Sequence, residues 1–178
     1  MPILVGFGAI LAAILLLTRK VEGAAPEIQR TVWPGVEPSA PTKSIDQMVA
    51  AAASQYGVSA ALVKAVAMVE SSLNPNAQNP SDPSYGLMQI MPILAEDFGI
   101  VKDWHNPTAA EIAMIRDPQT NLRIGAWYLK RLTSKYEFDV AVQMYNVGEA
   151  GYKAGRRNEN YLSKVKRYYN EFRNDSIG

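Results

Sequence analysis

Apolar side chains recur every third or fourth residue through most of the chain after residue 44, which is the spacing that places them on one face of an α-helix. Ser44-Ile45-Asp46-Gln47 has the capping-box pattern, which predicts a helix that ends at Gly57. Ser59 can cap a second helix, and the apolar residues of that helix lead directly to Glu70. Two consecutive helices are therefore predicted at the start of this region.

The rest of the region shows the same pattern. Further helices are predicted after the segment 86–92 to about Phe98, from Thr108 to Ile115, after Asp117-Pro118, from Asp139 to Val147, and along Tyr161 to Tyr168. Alternation of apolar and polar residues is hardly visible, and the hairpin pairs Asn-Gly and Asp-Gly do not occur in the sequence. Residues 44–175 are therefore predicted to form an all-α domain.

The first 20 residues have a different pattern. Residues 2–17 carry no charged or strongly polar side chain, and Thr18-Arg19-Lys20 closes the run. This predicts a membrane-type helix over residues 1–20, which could just span a bilayer because the stems of Arg19 and Lys20 extend its reach. A secretory signal peptide is the alternative, but no basic residue precedes the apolar run.

Residues 21–43 contain four prolines and two glycines and show no sustained periodicity. This composition predicts an extended linker that holds the helical domain away from a membrane. Arg19 and Lys20 favour a cytoplasmic position for their end of the apolar segment, but only two charges, partly offset by Glu22, carry that preference, so the topology stays open.

Composition narrows the possible chemistry. The chain of 178 residues has 18 lysine and arginine residues against 17 acidic residues, a net charge of +1, so it lacks the field of a nucleic-acid binder. With no cysteine and one histidine it cannot form a disulfide scaffold, a thiolate nucleophile or a zinc finger. Its chemistry must use carboxylates, hydroxyls and amides, and no metal or cofactor is predicted.

Glu70 is the candidate catalytic residue. It stands at the end of a helix rich in alanine, valine and methionine, where the negative end of the helix dipole disfavours the ionised carboxylate. A carboxyl group kept neutral in this way can act as a general acid on a glycosidic oxygen. The competing interpretation is an ordinary glutamate on the polar face of the helix.

Glu70 belongs to the first of four short motifs in the sequence. They are Glu70-Ser71-Ser72, Gly86-Leu87-Met88-Gln89-Ile90-Met91-Pro92, Met144-Tyr145-Asn146-x-Gly148 and Tyr161-Leu162-Ser163-Lys164-Val165. In this order and spacing the chain resembles the soluble-type (SLT) lytic transglycosylases from Ile45 to Tyr169. The resemblance implies a goose-type lysozyme-like helical fold, here preceded by the N-terminal membrane-type helix.

The resemblance also implies a reaction. Glu70 would be the single acid and base in a groove that binds peptidoglycan glycan strands, with their alternating N-acetylmuramic acid and N-acetylglucosamine. It would protonate the scissile oxygen and then deprotonate the muramic C6 hydroxyl, which closes a 1,6-anhydro ring without water.

Other positions carry over as substrate contacts. Gln89 and Met91 would lie in the groove, and Tyr145 would approach Glu70 and hold the orientation of its carboxyl group. Supporting positions near the substrate are Ser71, Asn146 and Tyr161.

Two residues depart from the family pattern. Asn79 stands where many members have a serine, although it can still donate to an N-acetyl carbonyl. Asp82 introduces a carboxylate in the segment where goose-type lysozymes carry the acids that direct water. Hydrolysis becomes possible if Asp82 reaches the groove, although its place between two prolines favours an exposed turn.

Other functions and locations stay open. A membrane-tethered protein that only binds glycan or an assembly partner is the non-enzymatic alternative, and the intact Glu70, Gln89 and Tyr145 argue against it. The predicted location is the periplasm or cell envelope, anchored to a membrane through residues 2–17. A secretion or conjugation apparatus is a possible partner, and carriage in a bacteriophage virion with its assembly proteins is the alternative setting.

Overall fold

A computed structural model describes residues 43–79 and 82–175. Within these ranges the chain forms eight helices and no strand, only isolated bridges at Tyr85. The helices are α1 (Ile45–Tyr56), α2 (Ala60–Ser71), α3 (Pro92–Asp97), α4 (Ala109–Arg116), α5 (Pro118–Thr133), α6 (Phe138–Val147), α7 (Glu149–Lys153) and α8 (Glu159–Asp175). The all-helical prediction is confirmed for the described domain.

The predicted membrane helix (residues 1–20) lies outside the described residues, as does nearly all of the predicted linker (residues 21–43). In the part of the chain that the structure describes, no helix combines the length and apolar character needed to cross a bilayer. The anchor stays a prediction from the sequence.

The helix starts follow the capping residues. Ser44 Oγ accepts from the backbone N–H of Gln47 at 3.2 Å, and Gln47 Oε1 accepts from the backbone N–H of Ser44 at 3.0 Å, so the capping box of α1 is complete. Gly57 ends the helix in the left-handed conformation that glycine adopts without a steric penalty. At α2 and α5 the side chains of Ser59 and Asp117 accept from the backbone N–H of Leu62 and Thr120.

One helix was not predicted. α7 covers only five residues after Gly148, which is too short for a helical repeat of apolar residues to show in the sequence.

The core is built around α5. Every residue from 120 to 126 is buried, and α5 packs against α1, α2, α4 and α6. α8 packs along α2 and against α6, so the C-terminal end of α2 is held between the centre of the domain and the last helix. This arrangement places the last helix beside Glu70.

Candidate active site

Glu70 lies in the last turn of α2, after the fully buried residues Val66 and Ala67. Because α8 packs along α2, the hydroxyl of Tyr161 reaches the Glu70 carboxyl group, and it donates a hydrogen bond of 2.6 Å to Oε1. Tyr161 is itself buried, with 6% of its surface exposed. The carboxyl group therefore has a fixed, neutral partner.

The environment of Glu70 favours the protonated form. Burial raises the pKa of Glu70 from 4.5 to about 7, although the hydrogen bond from Tyr161 lowers it in part. Burial and the nearby charge of Glu70 also raise the pKa of both Tyr161 and Tyr145 well above 10, so both phenols stay neutral. Among the described residues no cation pairs with Glu70. Near neutral pH the carboxyl group can thus both give and take a proton.

Tyr145 has a different partner from the one expected. Its hydroxyl donates to the backbone oxygen of Met88 at 3.0 Å. The resemblance assigned the contact with the Glu70 carboxyl to Tyr145 and a supporting place to Tyr161, whereas in the structure Tyr161 makes the direct contact. The physical reason is the packing of α8 on α2. Tyr161 and Glu70 are 91 positions apart in the sequence, so their spacing does not show that they are in contact.

Gln89 belongs to a tight turn beside the site. Its backbone has φ of +47°, a left-handed conformation, and its side chain closes the turn. Oε1 accepts from Ser84 Oγ at 2.8 Å and Nε2 donates to the Gly86 carbonyl at 2.9 Å. Gln89 lines the large cavity described below, but both ends of its amide bind the protein itself.

Asn121 holds this turn in place, and the sequence analysis did not identify it. Its side chain is fully buried, with Nδ2 donating to the carbonyls of Tyr85 at 2.7 Å and Ile115 at 2.9 Å. Its Oδ1 accepts from the Met88 backbone N–H at 2.8 Å. The available signal was an amide within the apolar stretch of α5, since a buried amide requires several hydrogen-bond partners.

Two glycines let the turn approach α5 closely. Gly86 has φ of +74°, and a Cβ there would lie 2.5 Å from Asn121 Nδ2. A Cβ at Gly125, one turn further along α5, would overlap the sulfur of Met88. Both positions therefore need the smallest residue.

A cavity of about 820 Å³ lies beside Glu70. It brings together most of the residues predicted for the site, namely Glu70, Asn79, Gln89, Met91, Tyr145 and Asn146. Asp82 also lines the cavity. It is exposed as predicted, so its exposure is compatible with a place in the groove. The volume lies in the range of about 300–1,000 Å³ of ordinary ligand sites.

A smaller cavity of about 240 Å³ shares Glu70 and Asn146 with the large one, and Tyr161 lines it. Ser71, expected among the substrate contacts, is not among the residues that line either cavity. Its hydroxyl donates to the Leu87 carbonyl at 2.8 Å and so ties the end of α2 to the turn.

Arg131 is a further lining residue that the sequence analysis missed. Its guanidinium lies 2.8 Å from Glu149 Oε1 and 3.2 Å from Asp97 Oδ2, and all three residues line the large cavity. Arg131 thereby connects α5 with α3 and α7. In the described ranges no group of histidine, aspartate and glutamate side chains is arranged to hold a metal ion.

Known proteins resemble this chain in sequence and in fold. The family model "Transglycosylase SLT domain" matches residues 47–168. The membrane-bound lytic murein transglycosylase E of Buchnera aphidicola is 35% identical over 96 residues, which are 53% of this chain and 42% of the relative. The membrane-bound lytic murein transglycosylase C of Edwardsiella ictaluri is 37% identical over 91 residues, 50% of this chain and 24% of the relative.

Two solved structures share the fold. An inactive mutant of the lytic transglycosylase Slt from Pseudomonas aeruginosa matches 68% of this chain and 22% of its own, with a TM-score of 0.55 and 21% identity. The 70 kDa soluble lytic transglycosylase from Escherichia coli matches 70% of this chain and 22% of its own, with a TM-score of 0.50 and 25% identity. The chain spans less than half the length of each of these proteins. It belongs to the transglycosylase SLT domain family, as the motifs around Glu70 predicted.

Proposed function

We propose that this protein is a peptidoglycan lytic transglycosylase that cleaves the β-1,4 bond between N-acetylmuramic acid and N-acetylglucosamine and leaves 1,6-anhydro-muramic ends. The observation that carries the proposal is the half-buried carboxyl group of Glu70, with a pKa of about 7 and a tyrosine hydroxyl at 2.6 Å, at the edge of a large cavity. Membership of the SLT family and the names of the relatives support it.

Glu70 acts first as an acid. The hydrogen bond from Tyr161 occupies Oε1, so the transferable proton resides on Oε2. Oε2 gives this proton to the glycosidic oxygen while the bond from that oxygen to the muramic C1 breaks. The positive charge that develops at C1 is stabilised by the N-acetyl group of the substrate itself, because the proposed reaction uses no second carboxylate.

Glu70 then acts as a base. Its carboxylate, stabilised by the Tyr161 hydroxyl, takes the proton of the muramic C6 hydroxyl while that oxygen forms a bond to C1. The ring closes, the proton returns to Glu70, and no water is consumed. One group can perform both steps because a pKa near 7 leaves each form accessible at neutral pH.

The turn beside Glu70 shapes the site for this reaction. Tyr145 donates to Met88 and Asn121 binds the same residue, so the turn that carries Gln89 is fixed before substrate arrives. Preorganised contacts of this kind reduce the cost of ordering the substrate. Met91 and Asn79 line the cavity and are proposed to contact the sugars, with Asn79 donating to an N-acetyl carbonyl.

Hydrolysis is the second candidate, and Asp82 favours it. Asp82 lines the same cavity as Glu70, which is what a carboxylate must do to direct a water molecule to C1. A lysozyme would release reducing ends in place of anhydro ends. The two reactions therefore differ in their products.

Product analysis tests the proposal. Purified peptidoglycan is digested with the 178-residue chain and with its variants Glu70→Gln and Asp82→Asn, and the released fragments are identified by mass spectrometry. Anhydro ends that disappear with Glu70→Gln and persist with Asp82→Asn are expected. Reducing ends that require Asp82 would establish a lysozyme, and no release by the natural chain would favour the non-catalytic, membrane-tethered protein that binds glycan or an assembly partner.

The proposed location is the cell envelope, with the catalytic domain facing the peptidoglycan. The names of the relatives describe membrane-bound enzymes, which agrees with the predicted anchor over residues 1–20. Association with a secretion or conjugation apparatus stays a prediction. Carriage in a virion also stays a prediction and receives no support from these relatives.

A further inference from the structure

The small cavity next to Glu70 has three amide side chains and one amine in its lining. Asn146, Asn158, Asn160 and Lys164 line it together with Val69, Tyr161 and the carboxyl group of Glu70. Glu70 and Asn146 also line the large cavity, in which the glycan is proposed to bind. Its volume of about 240 Å³ is below the range of about 300–1,000 Å³ of ordinary ligand sites. The cavity suits one polar substituent of a sugar better than a further stretch of glycan.

The hydrogen bonds around the cavity leave donors facing it. Asn158 Oδ1 accepts from the backbone N–H of Tyr161 at 3.0 Å, and Asn158 Nδ2 donates to Asn146 Oδ1 at 2.8 Å. The oxygen of Asn146 is therefore occupied, and its amide nitrogen is the group that it can offer to a ligand. The side chain of Asn160 is exposed and adds a second amide donor.

Lys164 supplies a positive charge to the same cavity. It projects from α8 and is exposed, and it forms no ion pair with any other described residue. Lys166 on the same helix differs, because its Nζ lies 2.9 Å from Asp139 Oδ2. An unpaired ammonium group beside two amide donors is a set that binds an anion with several acceptor oxygens.

We propose that this cavity binds a carboxylate carried by the muramic acid residue next to the scissile bond, through Lys164 and the amide nitrogens of Asn146 and Asn160. The inference rests on the proposed function, because that function places a muramic residue at Glu70. The 3-O-lactyl group of muramic acid ends in a free carboxylate where the peptide has been removed. Where the peptide is present, the carboxylates of the stem are the second source of the same chemical group.

Binding to an inactive protein tests the site without requiring cleavage. The affinity of Glu70→Gln for peptide-free glycan fragments, for the same fragments with their carboxylates converted to amides, and for peptide-bearing fragments is measured by calorimetry. Lys164→Met, Lys164→Arg and Lys130→Met are each added to this background. Lys130 is a matched control, because it is an exposed lysine that lines neither cavity.

The expected result is that Lys164→Met weakens binding of fragments with a carboxylate by about two- to fivefold at low salt, as for a partly solvated ion pair. Lys164→Arg should keep the affinity, Lys130→Met should leave it unchanged, and the amidated fragments should not distinguish Lys164→Met from its parent. If the effect of Lys164→Met occurs only with peptide-free fragments, the carboxylate is that of the lactyl group. If it occurs only with peptide-bearing fragments, the carboxylate belongs to the peptide stem.

An equal loss with the amidated fragments, or no loss at all, would overturn the proposal, and so would an equal effect of Lys130→Met. Cleavage by the natural chain is measured separately. If no cleavage occurs but binding depends on Lys164 and on the carboxylate, the proposed reaction is wrong and the carboxylate site remains.

Discussion

Glu70→Gln should stabilise the protein at neutral and alkaline pH while it abolishes the proposed reaction. Glutamine carries no charge and keeps a side-chain oxygen that can accept from Tyr161. The natural glutamate must ionise in a half-buried position as the pH rises, and burial makes ionisation unfavourable. A residue that lowers stability in this way is typical of a site arranged for function rather than for folding.

The magnitude follows from the pKa of Glu70. It is about 7 in the folded protein and near its ordinary value of 4.5 in the unfolded chain. Because the folded pKa is raised, this group contributes stability that is fully present below pH 4.5 and is lost as the pH rises through 7. At 1.36 kcal/mol for each pKa unit, the free energy of unfolding falls by about 3 kcal/mol across this window.

Urea unfolding measured between pH 4.5 and 8 tests this reasoning. The two proteins should differ by less than about 1 kcal/mol at pH 4.5, and Glu70→Gln should be more stable by about 3 kcal/mol at pH 8. Glu171→Gln is the control, because Glu171 is exposed on α8 and the same substitution there should leave the pH dependence unchanged. A difference between natural and Glu70→Gln protein that stays constant with pH would refute the raised pKa.

Three other substitutions test the surroundings of Glu70. Tyr161→Phe removes the hydrogen bond that fixes the Glu70 carboxyl group and lowers its pKa. We expect kcat to fall about tenfold because the carboxyl group loses its fixed orientation, and the alkaline limb of the pH–rate profile to move to higher pH because the pKa rises; a limb that stays in place contradicts this role. Asn121→Ala should reduce the free energy of unfolding in urea by about 2–4 kcal/mol, because it leaves the buried Met88 N–H unpaired and removes the hydrogen bonds to two carbonyls; a loss under about 1 kcal/mol would show that water replaces the amide. Gly125→Ala should cost about 1–3 kcal/mol in the same assay through overlap with Met88, and an unchanged urea midpoint would mean that Met88 moves aside freely.

Local chemistry explains why much of the helical fold could be predicted. Ser44 and Ser59 act as N-caps in the structure as in the sequence, and Gly57 ends α1, because caps depend on residues within three or four positions of one another. The place of Glu70 at the end of an apolar helix was visible for the same reason. Its raised pKa agrees with the expectation drawn from that position, although burial is the main cause.

Contacts between distant segments could not be predicted. Tyr145 and Tyr161 are both plausible partners of a carboxyl group, and only the packing of α8 on α2 decides between them. The same holds for Arg131, whose acidic partners lie on two other helices. Periodicity shows which face of a helix is buried but not which helix covers it.

Among the described residues no cation forms a salt bridge with Glu70, which explains how the site can work with one carboxyl group. An arginine or lysine within about 4–6 Å would lower its pKa by about 1–3 units and leave it ionised at neutral pH, unable to protonate a leaving group. Tyr161 fixes the carboxyl group without adding charge. Of the cations that line the two cavities, Arg131 is bound by Asp97 and Glu149, and neither Arg156 nor Lys164 forms a salt bridge with Glu70. The Glu70 carboxyl group must keep its proton until substrate is bound and must then take one back from a hydroxyl. This ability depends on where the fold places its cations as much as on the burial of Glu70.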